Sequence, residues 1–340
     1  MKKRHINIPV FIPHLGCPNT CVFCNQHAIS GASSFRREGI VSEIDTVLSS
    51  VDSDKVTAEI AFFGGSFTGI DRDTMLFCLD TAEEYVKRGQ VSGIRMSTRP
   101  DYINDEILDV LQKYTISEVE LGIQSFSDAV LGRCRRGHTA KTAETACRLL
   151  RERGIPFVGQ MMVGLPGADV TTETECAERI SSLGASGCRI YPTVVFKGTA
   201  LHAMTVRGEY VPLNLAEAVE RSAAVLEVFL SHGVRCLRVG LCESENLHSK
   251  EYYAGPNHPA MGELVGAELY YRRMCAALDR VTADIRGCTP VFYVPTGDIS
   301  MAVGQKRVNK QKIIEKYGVK SPRFIENSDL IRYNILLDIK

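Results

Sequence analysis

The sequence predicts an α/β protein: an open, partial (βα)6 TIM-like barrel with a small C-terminal α+β extension. Three observations carry this expectation. Six apolar, β-branched runs alternate with amphipathic helical patterns over the first two-thirds of the chain. The runs are near-continuously apolar, as strands covered on both faces of a parallel sheet are. Glycine and polar residues gather just after each run, on the edge where parallel α/β folds collect their ligand-binding loops. Six such units, from residue 5 to about residue 233, fall short of the roughly 250 residues of a closed eight-fold barrel. A doubly wound open sheet is the second choice.

The first strand is read from INIPVFIP, and a cysteine-rich loop and a helix over Glu38–Ser50 follow it. AEIAFFGG gives the second strand, with the turn GGSFTG at its end and a helix over Asp73–Arg88. GIRMSTRP is the third, ending in STRPD before a helix over Asn104–Lys113. SEVELGIQS is the fourth, with GIQSFS at its tip and a helix over Ala140–Arg153. FVGQMMVGLPG is the fifth, ending in GLPG before Glu173–Leu183, and CRIYPTVVF is the sixth, ending in FKGT before Leu215–Ser231. Each helical stretch repeats its apolar residues at helical spacing, and glycine at the strand ends lets backbone approach a ligand closely. Residues 1–241 are therefore assigned to the barrel. Residues 242–340 are read as a cap or substrate-recognition domain: a polar linker or lid (SENLHSKEYYAGPNHPAMGE), a helix over Glu263–Leu278, and the strand-like TPVFYVP. A basic stretch follows, with Lys306, Arg307, Lys310, Lys312, Lys316, Lys320 and Arg323.

With 340 residues, 44% apolar and 24% charged, the chain has the composition of a globular protein with a large core. Forty basic and forty acidic residues leave no global bias toward a polyanion. No apolar run reaches the roughly 18 residues of a membrane span. The N-terminal MKKRHINIPVFIP is too short and too proline-broken for a signal peptide, so a cytoplasmic location is expected. In that compartment a tight cysteine cluster points to metal or redox chemistry rather than to disulfides. Nine of the twelve cysteines are scattered, and most of these sit among apolar neighbours and read as small buried hydrophobes.

The other three are Cys17, Cys21 and Cys24, spaced C-x3-C-x2-C in HLGCPNTCVFCNQHAISG directly after the first strand. Structural zinc takes four closed ligands, for which only His14 or His27 could supply the fourth. A 4Fe–4S cluster also takes four iron ligands, and three thiolates leave one iron open to a small molecule. Open cluster, zinc and inert thiols are the three readings, in that order. A second cluster from Cys236, Cys242, Cys275 and Cys288 has no compact spacing behind it.

The cysteine pattern, with Phe23 before the third cysteine, resembles the radical S-adenosylmethionine superfamily over residues 5–235. The resemblance implies a [4Fe–4S] cluster on Cys17, Cys21 and Cys24 whose open iron chelates S-adenosylmethionine. It also implies reductive cleavage to a 5′-deoxyadenosyl radical that abstracts hydrogen from substrate. It places Gly64, Gly65 and Ser66 at the methionine amine, Ser66 standing where relatives carry an acid. Gln124 and Arg136 fall at the ribose and carboxylate, and Gln160 where an acidic ribose ligand is common. The backbone of Phe23 would read adenine, and Ser97 replaces a usual glutamate. Tyr191 and Lys197 would line the substrate path.

Longer strings narrow the resemblance. STRPDYI, ELGIQSFSDAVL, RRGHT, GLPG and RIYPTVVFKGTAL followed by GEYVPL resemble the radical domain of the Elongator complex's catalytic subunit. That group acts on wobble uridine in tRNA with acetyl-CoA as donor. Here the first cysteine gap is shorter than in that subunit, and residues 242–340 lack the glycine-rich pyrophosphate loop of its acetyltransferase domain. The resemblance thus implies radical chemistry, substrates in tRNA or other RNA, and a flavodoxin or ferredoxin-type electron donor, without the acetyl transfer. Tyr252, Tyr253, Tyr270, Tyr271 and Phe292 are candidates for base stacking, and the basic stretch for phosphates. The rival readings are an oxygen-independent coproporphyrinogen oxidase-like enzyme, which shares GIQSF and GLPG, and a zinc-stabilised RNA-binding module.

Overall fold

The computed structural model describes residues 3–12, 15–18, 21–25, 35–52, 54–241 and 251–340. In chain order the barrel elements are β1 (Arg4–Phe11), α1 (Ile40–Ser49), β2 (Val56–Phe63), α2 (Arg72–Lys87), β3 (Ile94–Thr98) and α3 (Asp105–Leu111). Next come β4 (Ile116–Gln124), α4 (Asp128–Arg133), α5 (Ala140–Glu152), β5 (Phe157–Val163), α6 (Val170–Ser182) and β6 (Gly187–Pro192). A short β7 (Val195–Phe196), α7 (Ala200–Val206), α8 (Leu215–Ser231) and β8 (Arg235–Val239) complete this part. The sheet order is β1-β2-β3-β4-β5-β6-β8, and every neighbouring pair is parallel. All seven strands contribute to the wall of one cavity, so the sheet curls into an open half-barrel.

The expected six strands are thus seven. The extra one, RCLRV, was missed because Arg235 and Arg238 interrupt its apolar residues. It lies at the sheet edge, where one side of each pleat meets the lumen and solvent. β7 leaves the sheet and pairs antiparallel with β9 (Tyr252–Ala254), forming a small ribbon.

Local chemistry explains the helix starts. Asp71 accepts from Thr74 N at the head of α2, Asn104 from Ile107 N before α3, and Thr139 from Thr142 N before α5. Asp169 with Thr172, and Asn214 with Glu217, form reciprocal capping boxes. With Asp169 as its cap, α6 begins at Val170, three residues ahead of the expected Glu173. Behind the sheet, Ile8, Ile60, Phe62, Ile94, Leu121, Met161 and Ile190 pack under the helices with essentially no exposure. Each such side chain contributes on the order of 1.5–3 kcal/mol of transfer free energy. The scattered Cys78, Cys134, Cys147, Cys176, Cys188 and Cys275 are buried, as read from the sequence.

Beyond β9 the chain continues through α9 (Met261–Asp279), β10 (Pro290–Val294), α10 (Ile299–Val303), α11 (Val308–Tyr317), β11 (Arg323–Glu326) and β12 (Leu336–Ile339). These strands form a second sheet, β11-β10-β12, with β10 parallel to β11 and antiparallel to β12. α9 joins the two bodies. Met261, Val265 and Leu269 pack in the barrel core, while Tyr270, Met274 and Leu278 pack in the C-terminal core. Two base-stacking candidates are corrected here: Tyr270 and Phe292 are fully buried in that core. The Tyr270 hydroxyl donates to Asp298 Oδ2 at 2.6 Å and accepts from Tyr333 N at 2.9 Å, while Phe292 packs at a tilt against Phe324. Tyr253 is exposed, and Tyr252 and Tyr271 are half-buried.

Candidate active site

The first cysteine's loop is locked to the turn after β2 by backbone alone. Leu15 N donates to Ile12 O, and Ser66 N donates to Leu15 O at 2.9 Å. Gly16 has φ +66°, and a Cβ there would stand 2.3 Å from Ser66 O. A Cβ on Gly65 would stand 2.5 Å from both Ile12 O and Leu15 O. Only glycine at both positions lets the two segments pass this closely. The next cysteines are stitched elsewhere. Val22 N donates to Cys134 O at 3.0 Å, Leu201 N to Val22 O at 2.8 Å, and Cys24 N to Cys21 O.

These contacts bring the sequence-derived site together. Cys17, Cys21, Cys24, Phe23, Gly64, Gly65, Ser66, Gln124, Arg136 and Gln160 all line one lumen cavity of about 920 Å³, as do Ser97 and Tyr191. Lys197 is exposed and does not line it. Among the described residues, no three His, Cys, Asp or Glu side chains converge tightly enough to hold a single metal ion. His14, His27 and Cys242, together with part of the expected linker, lie outside the described residues. The second-cluster set does not gather: Cys236 faces Cys188 across β6 and β8, whereas Cys275 sits in the C-terminal core.

The polar residues at the strand tips are arranged closely. Ser66 is buried; its hydroxyl pairs with Thr98 Oγ1 at 3.0 Å and accepts from Arg99 N at 3.0 Å. Gln124 ends β4 at φ +68°, where the register with β5 breaks, and its Oε1 is buried without a hydrogen-bond partner among the described residues. Arg136 donates from Nη2 to Gly122 O at 2.5 Å and from Nη1 toward Cys21 Sγ at 3.5 Å, leaving Nε buried without a partner among the described residues. A Cβ on Gly122 would meet Arg136 Nη2 and Gln124 Nε2, so glycine makes room for both side chains. Gln160 donates from Nε2 to Glu120 Oε2 at 3.1 Å.

Three features were missed in the sequence. The first is Arg99, 3% exposed, whose Nε and Nη2 grip Asp101 at 2.9 and 2.8 Å and whose Nη1 lies 4.0 Å from Cys21 Sγ. Burial opposes its charge, but Asp101 and the sulfurs of Cys21 and Cys17 outweigh it and raise its pKa. Burial likewise opposes the Asp101 charge, and Arg99 outweighs it, so that carboxyl lies below its ordinary range. The second is His138, whose ring is fully buried 3.9 Å from Asp101; burial, then the Arg136 charge, pull its pKa down to about 4. The third is a polar lumen floor. Glu120, 2% exposed, accepts from Arg95 Nη2 at 3.2 Å and Arg189 Nη2 at 2.8 Å. Arg95 also pairs with Glu118 and Glu59. Tyr191 and Glu120 raise the Arg189 pKa against the opposing effect of burial. The available signal was period-two polarity inside apolar strands: His5 and Asn7, Arg95 and Ser97, Glu118 and Glu120, Arg189 and Tyr191.

Known proteins share this architecture. The radical SAM superfamily matches residues 11–175, and the radical SAM C-terminal domain matches residues 185–271. The chain is 30% identical over 182 residues to a tRNA uridine(34) acetyltransferase of Methanocaldococcus jannaschii, covering 48% of this chain and 34% of that one. It is 31% identical over 157 residues to Elongator complex protein 3 of Schizosaccharomyces pombe, covering 44% and 29%. It thus spans about a third of the length of these curated relatives. A solved Elp3 from the archaeon Methanocaldococcus infernus, with an N-terminal deletion, superposes with a TM-score of 0.61 at 22% identity. That match covers 80% of this chain and 64% of the archaeal one, and it shows the shared fold. This chain belongs to the radical SAM superfamily and is a radical SAM enzyme whose relatives include the radical regions of Elongator-type proteins.

Proposed function

We propose that the chain holds a [4Fe–4S] cluster on Cys17, Cys21 and Cys24, binds S-adenosylmethionine beside it, and modifies tRNA. The observation that carries this reading is one cavity in which three thiols lie beside a glycine turn and the guanidiniums of Arg99 and Arg136. Three soft thiolates beside fixed positive charge suit an anionic iron–sulfur cluster. The orphaned Gln124 Oε1 and Arg136 Nε, an acceptor and a donor buried on the same wall, suit a polar ligand such as a ribose with a carboxylate.

When bound, the cluster and S-adenosylmethionine would supply one-electron sulfonium cleavage, giving the 5′-deoxyadenosyl radical that takes hydrogen from substrate. The protein's part is binding, orientation and exclusion of water. Gly64, Gly65 and Ser66 would present backbone carbonyls to the methionine amine. The Ser66 hydroxyl is already engaged by Thr98 and Arg99, so it adds no acidic partner. Arg136 would hold the carboxylate or ribose through Nε, Gln124 would accept from a ribose hydroxyl through Oε1, and the Phe23 backbone would read adenine. Gln160 would reach the ribose only through its oxygen, because its amide nitrogen is bonded to Glu120. The lumen floor of Glu120, Arg95 and Arg189 fixes these groups and fills the space below the chemistry.

The tRNA part rests on the relatives. We place the reaction in the cytoplasm with a flavodoxin or ferredoxin-type donor, and residues 242–340 as the substrate-facing cap. Exposed Tyr253 and the exposed Lys306 and Arg307 would meet RNA there. Two experiments test the reading. Anaerobic, dithionite-reduced protein should convert S-adenosylmethionine to 5′-deoxyadenosine, and yields no higher than those of Cys24→Ala would refute the radical chemistry. Total tRNA from cells with and without the gene should differ in one modified nucleoside; an identical profile would remove tRNA as substrate.

A further inference from the structure

We propose that Arg99 is a positioning residue that, together with Arg136, sets the reduction potential of the cluster through the sulfur of Cys21. This rests on the cluster reading above and goes beyond it, because it assigns a role to a side chain aimed at a ligand sulfur rather than at S-adenosylmethionine.

The geometry is specific. Arg99 leaves the tip of β3, and its guanidinium is tied down on two edges. Nε and Nη2 are taken by Asp101, and Nη2 also donates to Arg136 O at 2.7 Å. That leaves Nη1 directed at Cys21 Sγ, 4.0 Å away, while Arg136 Nη1 approaches the same sulfur at 3.5 Å. The two arginines are only 3% and 6% exposed. They are also coupled, since the Arg99 fork is bonded to the main chain of Arg136. Two positive charges therefore face one thiolate, and Asp101 holds the far side of Arg99.

A guanidinium stays charged at any working pH, so this field is permanent. One-electron reduction adds a negative charge to the cluster, the electron coming from a low-potential one-electron donor. Potentials of such clusters follow net charge, hydrogen bonds to the sulfurs and solvent exposure. Buried positive charge at a ligand sulfur stabilises the reduced form more than the oxidised form. Arg99 thus raises the potential and brings the cluster within reach of its donor.

The test is an EPR-monitored redox titration of anaerobically reconstituted protein without S-adenosylmethionine, comparing wild type, Arg99→Met, Arg99→Gln and Arg99→Lys. The neutral variants should keep wild-type iron, yet at the wild-type midpoint their reduced-to-oxidised ratio should fall on the order of tenfold. That corresponds to a negative shift of about 59 mV for one electron. Arg99→Lys, which keeps the charge, should recover most of it. A neutral variant with full iron and an unmoved midpoint overturns the proposal. So does loss of iron from both neutral variants in otherwise folded protein, which would make Arg99 a structural clamp. Wild-type protein that takes up no iron and sulfide would instead overturn the cluster reading itself.

Discussion

Glu120→Gln tests the lumen floor, because it removes one charge at constant size from the middle of the network. Glu120 is 2% exposed and its two oxygens accept from Arg95, Arg189 and Gln160 at 3.2, 2.8 and 3.1 Å. Arg95 keeps Glu118 and Glu59 when Glu120 is neutralised. Arg189 has no other carboxylate within ion-pair distance among the described residues, so its buried charge is left with the Tyr191 hydroxyl. Breaking one side of a buried pair costs roughly 3–5 kcal/mol. With Arg95 still paired, the lower end applies, and a loss of about 3 kcal/mol is expected. Urea unfolding followed by far-UV circular dichroism should show the midpoint fall at an unchanged slope. Glu84→Gln, which breaks an exposed pair with Arg88, should cost no more than about 0.5 kcal/mol. Adding Arg189→Met to Glu120→Gln should restore much of the loss, because both members of the pair are then gone. A loss below about 1 kcal/mol for Glu120→Gln would show that the network is solvated and would refute the reasoning.

Three further outcomes are expected. The folded pKa of His138, about 4, lies below its ordinary 6.5, so its contribution to stability is complete above pH 6.5 and is lost as the pH falls toward 4. The loss amounts to about 3 kcal/mol, and His138→Gln should flatten this slope in urea midpoints taken across that window. Gly16→Ala should cost at least about 2 kcal/mol, from a left-handed φ combined with a Cβ forced against Ser66 O, read as a lowered thermal midpoint. Asn309→Ala should cost about 2 kcal/mol in the same assay, since the buried Nδ2 serves Ala267 O at 2.7 Å and Ala302 O at 3.1 Å.

The barrel was legible because its strands are apolar enough to stand out between amphipathic helices. α8 begins at Leu215 and ends at Ser231, as its pattern indicates, and α5 begins at Ala140. RCLRV was not legible, because Arg235 and Arg238 leave this five-residue edge strand with no apolar run. The ten candidate site residues, most of them placed by the family resemblance rather than by spacing, all line one cavity. Arg99 was not legible, although it lies inside the quoted STRPD, because nothing in sequence brings residue 99 near residue 21. Glu120 and Arg189 read as isolated charges in two strings 69 residues apart until the sheet register set β4, β5 and β6 side by side. Tyr270 and Phe292 looked like base-stacking aromatics because composition does not separate a core ring from a surface one. Burial decides it.

The continuity of α9 has a mechanical consequence. One unbroken 19-residue helix is shared by two hydrophobic cores, so rotating the C-terminal body about the half-barrel would strip Val265 and Leu269 from one or Tyr270 and Met274 from the other. Rigid-body swinging of that body is therefore a poor way to admit a bulky substrate. A truncation placed before Met261 would expose the same seam and yield an insoluble barrel rather than a minimal enzyme.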